Sequence, residues 1–207
     1  MNVIVFGASG QTGRIAVGKL LESGHTVTAF VRDPAKMELK SGSLKVFQGD
    51  LRDADAVEAA MKGCQAVFCA IAPRSLREGG LFQASARSLV QAMGKLDVRR
   101  IVNLSAWGAG DSRAQAPFLF RAVLIPLLLK KVFEDKEKGE EILMASDLEW
   151  VNVRPGRLLN EPARGGVKAS LSSLGLKPSM TREDLANFMI EQLSAETWVR
   201  RSPLIGY

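Results

Sequence analysis

A doubly wound α/β fold, with a parallel sheet covered by helices on both faces, follows from three observations. Short apolar strands alternate with helical patterns along most of the chain. No Pro-, Gly- or Ser-rich linker and no repeat divides it. The first strand runs through a glycine turn directly into a helix. That strand is Asn2–Phe6. The next strands are Thr26–Val31, Leu44–Phe47, Gln65–Ile71, Arg100–Leu104 and Trp150–Val153. Helical patterns fill the gaps at 12–23, 54–61, 82–95, about 127–145 and 182–193. Thr181-Arg182-Glu183-Asp184 reads as the capping signal of the last one, with Thr181 as N-cap. At 207 residues the chain fits a single domain over 1–207. The less regular stretch 154–207 supplies a small cap on the substrate side.

The turn Gly7-Ala8-Ser9-Gly10-Gln11-Thr12-Gly13 carries the first functional signal. Strand, glycine turn, helix is the context of a dinucleotide fingerprint. Gly7 permits the tight turn, Gly10 lets backbone approach a pyrophosphate, and Gly13 lets helix pack on strand. The N–H groups of the first helical turn then face the phosphates, whose charge the helix dipole favours. This is the signature of a Rossmann-type sheet, with strand order 3-2-1-4-5-6 and the nucleotide across its switch point.

The end of the second strand bears on which nucleotide is bound. An NAD-selective site usually places an acid there for the ribose 2′-hydroxyl. Here Val31 leads to Arg32, whose guanidinium can pair with a 2′-phosphate or stack on adenine. NADP is therefore expected in preference to NAD, although Asp33 could accept from a 2′-hydroxyl. Asp50, in Gly49-Asp50-Leu51, either accepts from the adenine amino group or caps the following turn.

Composition narrows the remaining classes. The chain has a formal net charge of +6, yet its basic residues are scattered and no aromatics interleave with them to stack bases. No nucleic-acid partner is expected. Cys64 and Cys69 match neither a redox pair nor a metal site, and His25 lies in a helix-to-strand turn, so no metal is expected. Both cysteines read as buried packing residues of a reducing cytoplasm. No secretory signal is visible. Residues 118–129 form the most apolar stretch, interrupted by Arg121 and Pro126 and too short to span a bilayer, so no integral membrane segment is expected. This stretch reads as a buried helix or a lid, or else as a membrane-surface or partner contact.

The turn 7–13, Val31-Arg32-Asp33, Gly49-Asp50-Leu51, Leu104-Ser105-Ala106 and Arg154-Pro155-Gly156 occur in order. Together they resemble the atypical short-chain dehydrogenase/reductase group, in particular its flavin reductase/biliverdin-IXβ reductase type, over residues 1–195. The resemblance implies several roles. Gly7 to Gly13 would cradle the pyrophosphate, and Arg32 would hold the 2′-phosphate. Asp50 and Leu51 would frame the adenine. Ala70, Ile71 and Ala72 would pass the ribose and nicotinamide, and Pro155 and Gly156 would run beside the carboxamide. Ser105 occupies the place of the family's active-site serine. The Tyr-x-x-x-Lys pair of typical members is incomplete. The matching segment is Val132-Phe133-Glu134-Asp135-Lys136, and the only tyrosine is Tyr207. An alcohol dehydrogenase or epimerase mechanism is thereby disfavoured.

Read on a helical wheel, Lys136 falls within an apolar stripe formed with Leu129, Val132, Phe133, Glu140 and Leu143. A buried ammonium needs a partner. Lys136 either reaches a ligand ribose, steadied by Glu140, or pairs with Glu140 or extends to solvent. Ser105 is an orienting donor or satisfies local backbone. Trp107 and Arg113, in a glycine-rich segment, and Arg74 are the candidate substrate contacts. With Phe118 and Phe120, that segment would form an apolar lid over a planar substrate. The function expected is an NADPH-dependent reductase of a planar acceptor such as a flavin or quinone. The alternative is a non-catalytic NADP(H) sensor similar to the nitrogen-metabolite-repressor-like proteins. The helix pair 82–95 and 127–145 is a possible homodimer surface.

Overall fold

The computed structural model describes residues 1–73, 75–76 and 79–207. The central strands are β1 (Asn2–Phe6), β2 (Thr26–Val31), β3 (Leu44–Gln48), β4 (Ala66–Cys69), β5 (Arg100–Leu104) and β6 (Glu149–Pro155). They stand in the order β3-β2-β1-β4-β5-β6, all parallel. The interleaved helices are α1 (Gln11–Glu22), α2 (Ala54–Met61), α3 (Leu81–Leu96), α4 (Lys130–Met144) and α5 (Arg182–Glu191). The expected fold class and strand order are therefore those observed.

Alternation along β1 shows why two helical layers form. Val3 and Val5 face a core shared with Ala16, Val17 and Leu20 of α1 and Leu185 and Met189 of α5. Ile4 and Phe6 face the opposite core, built with Val57 and Met61 of α2, Leu89 and Met93 of α3, and Val132 and Leu143 of α4. A strand buried on both faces is what a parallel sheet requires.

Three boundaries differ from expectation. The fourth strand is shorter than 65–71, because the chain leaves the ladder after Cys69. The helix expected from 127 begins at Lys130, preceded by a π-helical segment, Phe120–Leu129. Pro126 cannot donate to the helical ladder, which is consistent with the wider winding there. That segment is also not a buried helix. Only Ile125 is buried, while Phe118, Leu119, Leu127 and Leu128 face outward. The third difference lies in 154–207, which is more regular than its sequence suggested. β10 (Leu204–Gly206) extends the sheet parallel to β6, and β8 (Lys168–Ser170) pairs antiparallel to β10. β7 (Arg157–Leu159) and β9 (Ser179–Thr181) form a separate pair.

The α5 terminus is pinned by one carboxylate. Thr181 caps the helix as expected, its Oγ1 accepting from the Asp184 N–H at 3.1 Å. Asp184 also accepts from Tyr207 Oη at 2.6 Å and from the N–H groups of Arg164 and Gly165. Burial works against its charge, but these hydrogen bonds outweigh that and hold the carboxyl below its ordinary range. The only tyrosine is thus committed to structure. Cys69 is buried as expected, and burial pushes its thiol up to about 11. Cys64 is only half-buried, a departure from expectation, its Sγ near Thr28 Oγ1. His25 Nδ1 accepts from the first amino group of the chain, in the turn predicted for it.

The packing of α1 on β1 depends on two glycines. Gly7 has φ +80°, and a Cβ there would strike the Ala70 carbonyl. A Cβ on Gly13 would strike the Gly7 carbonyl, backbone that cannot swing aside. Gly13→Ala is therefore expected to cost about 2 kcal/mol or more of stability, read as a lowered urea midpoint with an unchanged slope.

Candidate functional site

The carboxyl ends of β1, β2, β4, β5 and β6 open into a trough in two halves. The half over β2 and β3 is lined by Gly7, Ser9, Arg32, Asp50, Leu51, Ile71 and Ala72, with Phe30 and Gly49 beneath. The half over β5 and β6 is a cavity of about 440 Å³. Gly10, Gln11, Thr12, Ala70, Ile71, Ala72, Ser105, Lys136, Pro155 and Gly156 line it. The two halves meet at Ile71 and Ala72. Ala8 and Gly13 line neither. They are buried beneath the turn, where they set its shape.

The trough is built for anions and for polar ligand groups. α1 starts at Gly10 with no side-chain cap and no acid in its first turn, so its leading N–H groups open on the cavity. Arg32 makes no ion pair among the described residues. Asp33 does not line the trough. It accepts from the Ala35 N–H at 3.2 Å and caps a short turn. Asp50 caps the following turn, accepting from the Arg52 N–H at 2.9 Å, and it also lines the trough.

Ser105 Oγ is buried with no hydrogen-bond partner among the described residues and lines the cavity. An orphaned hydroxyl there is matched by a ligand that brings its own polar group. Lys136 projects from α4 into the same cavity. Its Nζ donates to the Leu104 carbonyl at 3.3 Å and lies 3.9 Å from the centre of the Phe82 ring. Burial lowers its ammonium to about 8, against the opposing pull of Glu140. Val132, one turn earlier, lines the cavity where a phenol would stand in the Tyr-x-x-x-Lys pattern.

Of the alternatives open to Lys136, an ion pair with Glu140 does not form, nor does Glu140 steady it by a hydrogen bond. Glu140 instead forms a bidentate pair with Arg154, at 2.7 and 3.1 Å, both side chains almost fully buried. Arg154 Nη1 also donates to Asp111 Oδ1. A guanidinium fork satisfies both carboxylate oxygens where a lysine could satisfy one, so Arg154 takes the acid. Lys136 does not run out to solvent either. Asp135 beside it points into the protein and accepts from the N–H groups of Phe82 and Gln83, capping α3 from a neighbouring helix.

Beyond Pro155 and Gly156 lies an apolar chamber of about 490 Å³, walled by Trp107, Pro117, Phe120, Leu124 and Pro178. Trp107 stands there as expected, its indole N–H donating to the Gln115 carbonyl at 3.2 Å. Phe120 joins it, whereas Phe118 turns outward. Arg113 is not in the site. It is paired with Glu137 at 2.7 Å. The segment read as a lid is folded, with Gly110–Gln115 a tight helical turn and Ala109 fully buried. Arg74 lies outside the described residues.

Among the charged residues of the cavity, Arg182 is the one the sequence did not mark. Arg182 lines the cavity with Gly10, Gln11 and Thr12, its Nε donating to Asn160 Oδ1 at 2.8 Å. Its Nη1 lies 3.5 Å from Thr12 Oγ1. Among the described residues it has no carboxylate partner, unlike the buried Arg100 and Arg154. The capping motif around it drew attention to Thr181 and Asp184, and nothing local marks a helix-initial arginine as facing a distant turn. The residues of the trough fit a dinucleotide.

Comparison with known proteins agrees. A family model described as NAD(P)H-binding matches residues 7–196. The chain is similar to the oxidoreductase ptaF of Pestalotiopsis fici, 28% identical over 92% of this chain and 78% of that protein. Among solved structures it is similar to a short-chain dehydrogenase/reductase from Veillonella parvula in complex with NADP. There the TM-score is 0.85 and identity 18%, covering 100% of this chain and 94% of that one. It is also similar to the anaerobillin reductase ChuY of Escherichia coli, with TM-score 0.84 and 21% identity, covering 100% and 97%. At these identities the two structures attest the fold.

The lowered Lys136 ammonium gives stability a defined pH dependence. From about pH 8 up to the ordinary lysine range, the unfolded chain holds a proton that the fold has released, so stability rises with pH across that window. Below about pH 8 both states hold the proton and the contribution is flat. The stability of the wild-type chain relative to Lys136→Met in urea titrations should rise from about pH 7 to about pH 10, by on the order of 1 kcal/mol per pH unit at most, the opposing effect of the raised Cys69 thiol above about pH 9 being common to both.

Proposed function

This chain belongs to the NAD(P)H-binding family, and on that premise we propose that it is an NADPH-dependent reductase that passes hydride to a planar acceptor such as a flavin or quinone. The observation that carries the reading is the shape and chemistry of the two adjoining cavities. A polar half with Ser105 and Lys136 opens past Pro155 and Gly156 into an apolar chamber walled by Trp107 and Phe120. Val132 stands where a phenolic acid would be needed for an alkoxide. A conjugated acceptor needs little such help.

The residues divide the work. The backbone of 7–13 receives the pyrophosphate, and Arg182 adds a counter-charge from across the cavity. Arg32 takes the 2′-phosphate, which is the basis for favouring NADP over NAD. Asp50 and Leu51 hold the adenine, and Ala70 to Ala72 guide the chain of the cofactor past β4. Lys136 donates to the ribose hydroxyls, with the Phe82 face supporting its charge. Pro155 and Gly156 flank the carboxamide, and Ser105 orients the reacting groups through its free hydroxyl. A bound reduced nicotinamide supplies the hydride. The protein contributes position and a dry wall.

The test is NADPH oxidation by the purified protein across a panel of flavins and quinones, with NADH in parallel. Saturable turnover, faster with NADPH and cut roughly tenfold to a hundredfold by Lys136→Ala, is the expected result. NADPH binding without turnover on any acceptor would contradict the reductase and favour the sensor.

A further inference from the structure

The segment that walls the apolar chamber has a second face. Phe118, Leu119, Leu127 and Leu128 are 72, 66, 75 and 62% exposed. Val123 and Leu124 are exposed beside them. Ile125 of the same segment packs inward against Ala109 and Phe133, so the outward side chains are not simply unfolded surface. Contiguous exposure of large apolar groups on this scale marks a binding surface.

The charge around it identifies the partner. No acidic residue lies between Asp111 and Glu134, whereas Arg113, Arg121, Lys130 and Lys131 do. Arg113 is neutralised by Glu137. Lys130 reaches Glu134 only at 3.9 Å. Arg121 and Lys131 make no ion pair among the described residues. Arg121 instead lies over the ring of Phe118, 5.8 Å from its centre. An apolar face fringed by uncompensated cations suits the boundary of an anionic bilayer, with acyl chains for the apolar groups and phosphates for the cations.

We propose that residues 118–131 dock this protein on the surface of an anionic lipid bilayer. No helix among the described residues is long and apolar enough to cross a membrane, so the segment lies in the interface. A second copy of the chain fits less well. A two-fold contact would bring the Arg121, Lys130 and Lys131 cluster of one copy toward that of the other, with only Glu134, 3.9 Å from Lys130, to offset the repulsion. Docking would also bring the chamber wall formed by Phe120 and Leu124 against the lipid. An acceptor dissolved in the bilayer would then reach the site directly, a consequence that rests on the reductase reading, as docking itself does not.

The test is flotation of the full chain with phosphatidylcholine vesicles, with and without phosphatidylglycerol, at low and high salt. The expected result is flotation with the anionic vesicles only, reversed by salt. The Leu127→Glu/Leu128→Glu variant alters only exposed side chains. It should bind NADPH as before and lose vesicle binding by about tenfold or more. Absence of flotation with anionic vesicles would overturn the proposal, and so would flotation unchanged in the variant. A concentration-dependent dimer in sedimentation velocity that the variant splits, without vesicle binding, would overturn it in favour of a second copy. No acceptor is present, so failure here is distinguishable from failure of the reductase reading.

Discussion

The approach of α1 to the backbone of β1 and β4 sets the geometry on which the site depends. Gly13 packs on the Gly7 carbonyl, and Gly7, at positive φ, packs on the Ala70 carbonyl. Three pieces of chain therefore touch through backbone alone, at a separation no side chain permits. The uncapped start of α1 is thereby fixed over the carboxyl edge of the sheet, beside the point where the chain turns away after Cys69. Its unsatisfied N–H groups are the price of a ready anion site. Arg32 and Arg182, neither with a carboxylate partner among the described residues, line the same trough.

A second constraint holds the other end. The Arg154–Glu140 pair links β6 to α4, and Asp111 adds the segment after β5. These elements carry Pro155 and Gly156, Lys136 and Trp107 respectively, so one buried guanidinium sets their mutual positions. A buried ion pair adds little net stability over an apolar replacement, but losing one partner strands a charge. Its role here is to fix the mutual placement of those groups around the cavities. Asp184 plays a similar part at the C-terminal cap, tying Tyr207 and the 164–165 backbone to α5.

Where sequence and structure agree, the signal is local and periodic. β1, β2, β5, α2 and the glycine turn are continuous in sequence, and each is set by neighbours within one or two turns. Gly7, Ser9 to Thr12, Arg32, Asp50 and 70–72 line the trough because each lies just past a strand whose register is fixed by the sheet. What the sequence hid depends on long-range competition. Glu140 lies one turn from Lys136, yet Arg154, remote along the chain, offers better geometry and takes it. Asp135 looks like a surface acid but caps α3 across the helix interface. Arg182 faces Thr12 across 170 residues. Pro126 marked a break without revealing the π-helical winding or which apolar groups would stay outside. The short strands β7 to β10 carry too few residues for a periodic pattern to show.

The proposed reaction is direct hydride delivery from a dinucleotide anchored in the polar half of the trough to an acceptor in the apolar chamber beyond Ser105 and Lys136. Turnover with NADPH deuterated at each of the two C4 positions in turn tests that claim most directly. Direct transfer from a nicotinamide held on one face predicts that one epimer alone gives a primary isotope effect and yields unlabelled NADP+, while the other keeps its deuterium in the NADP+ formed. Equal loss of deuterium from both epimers would contradict it.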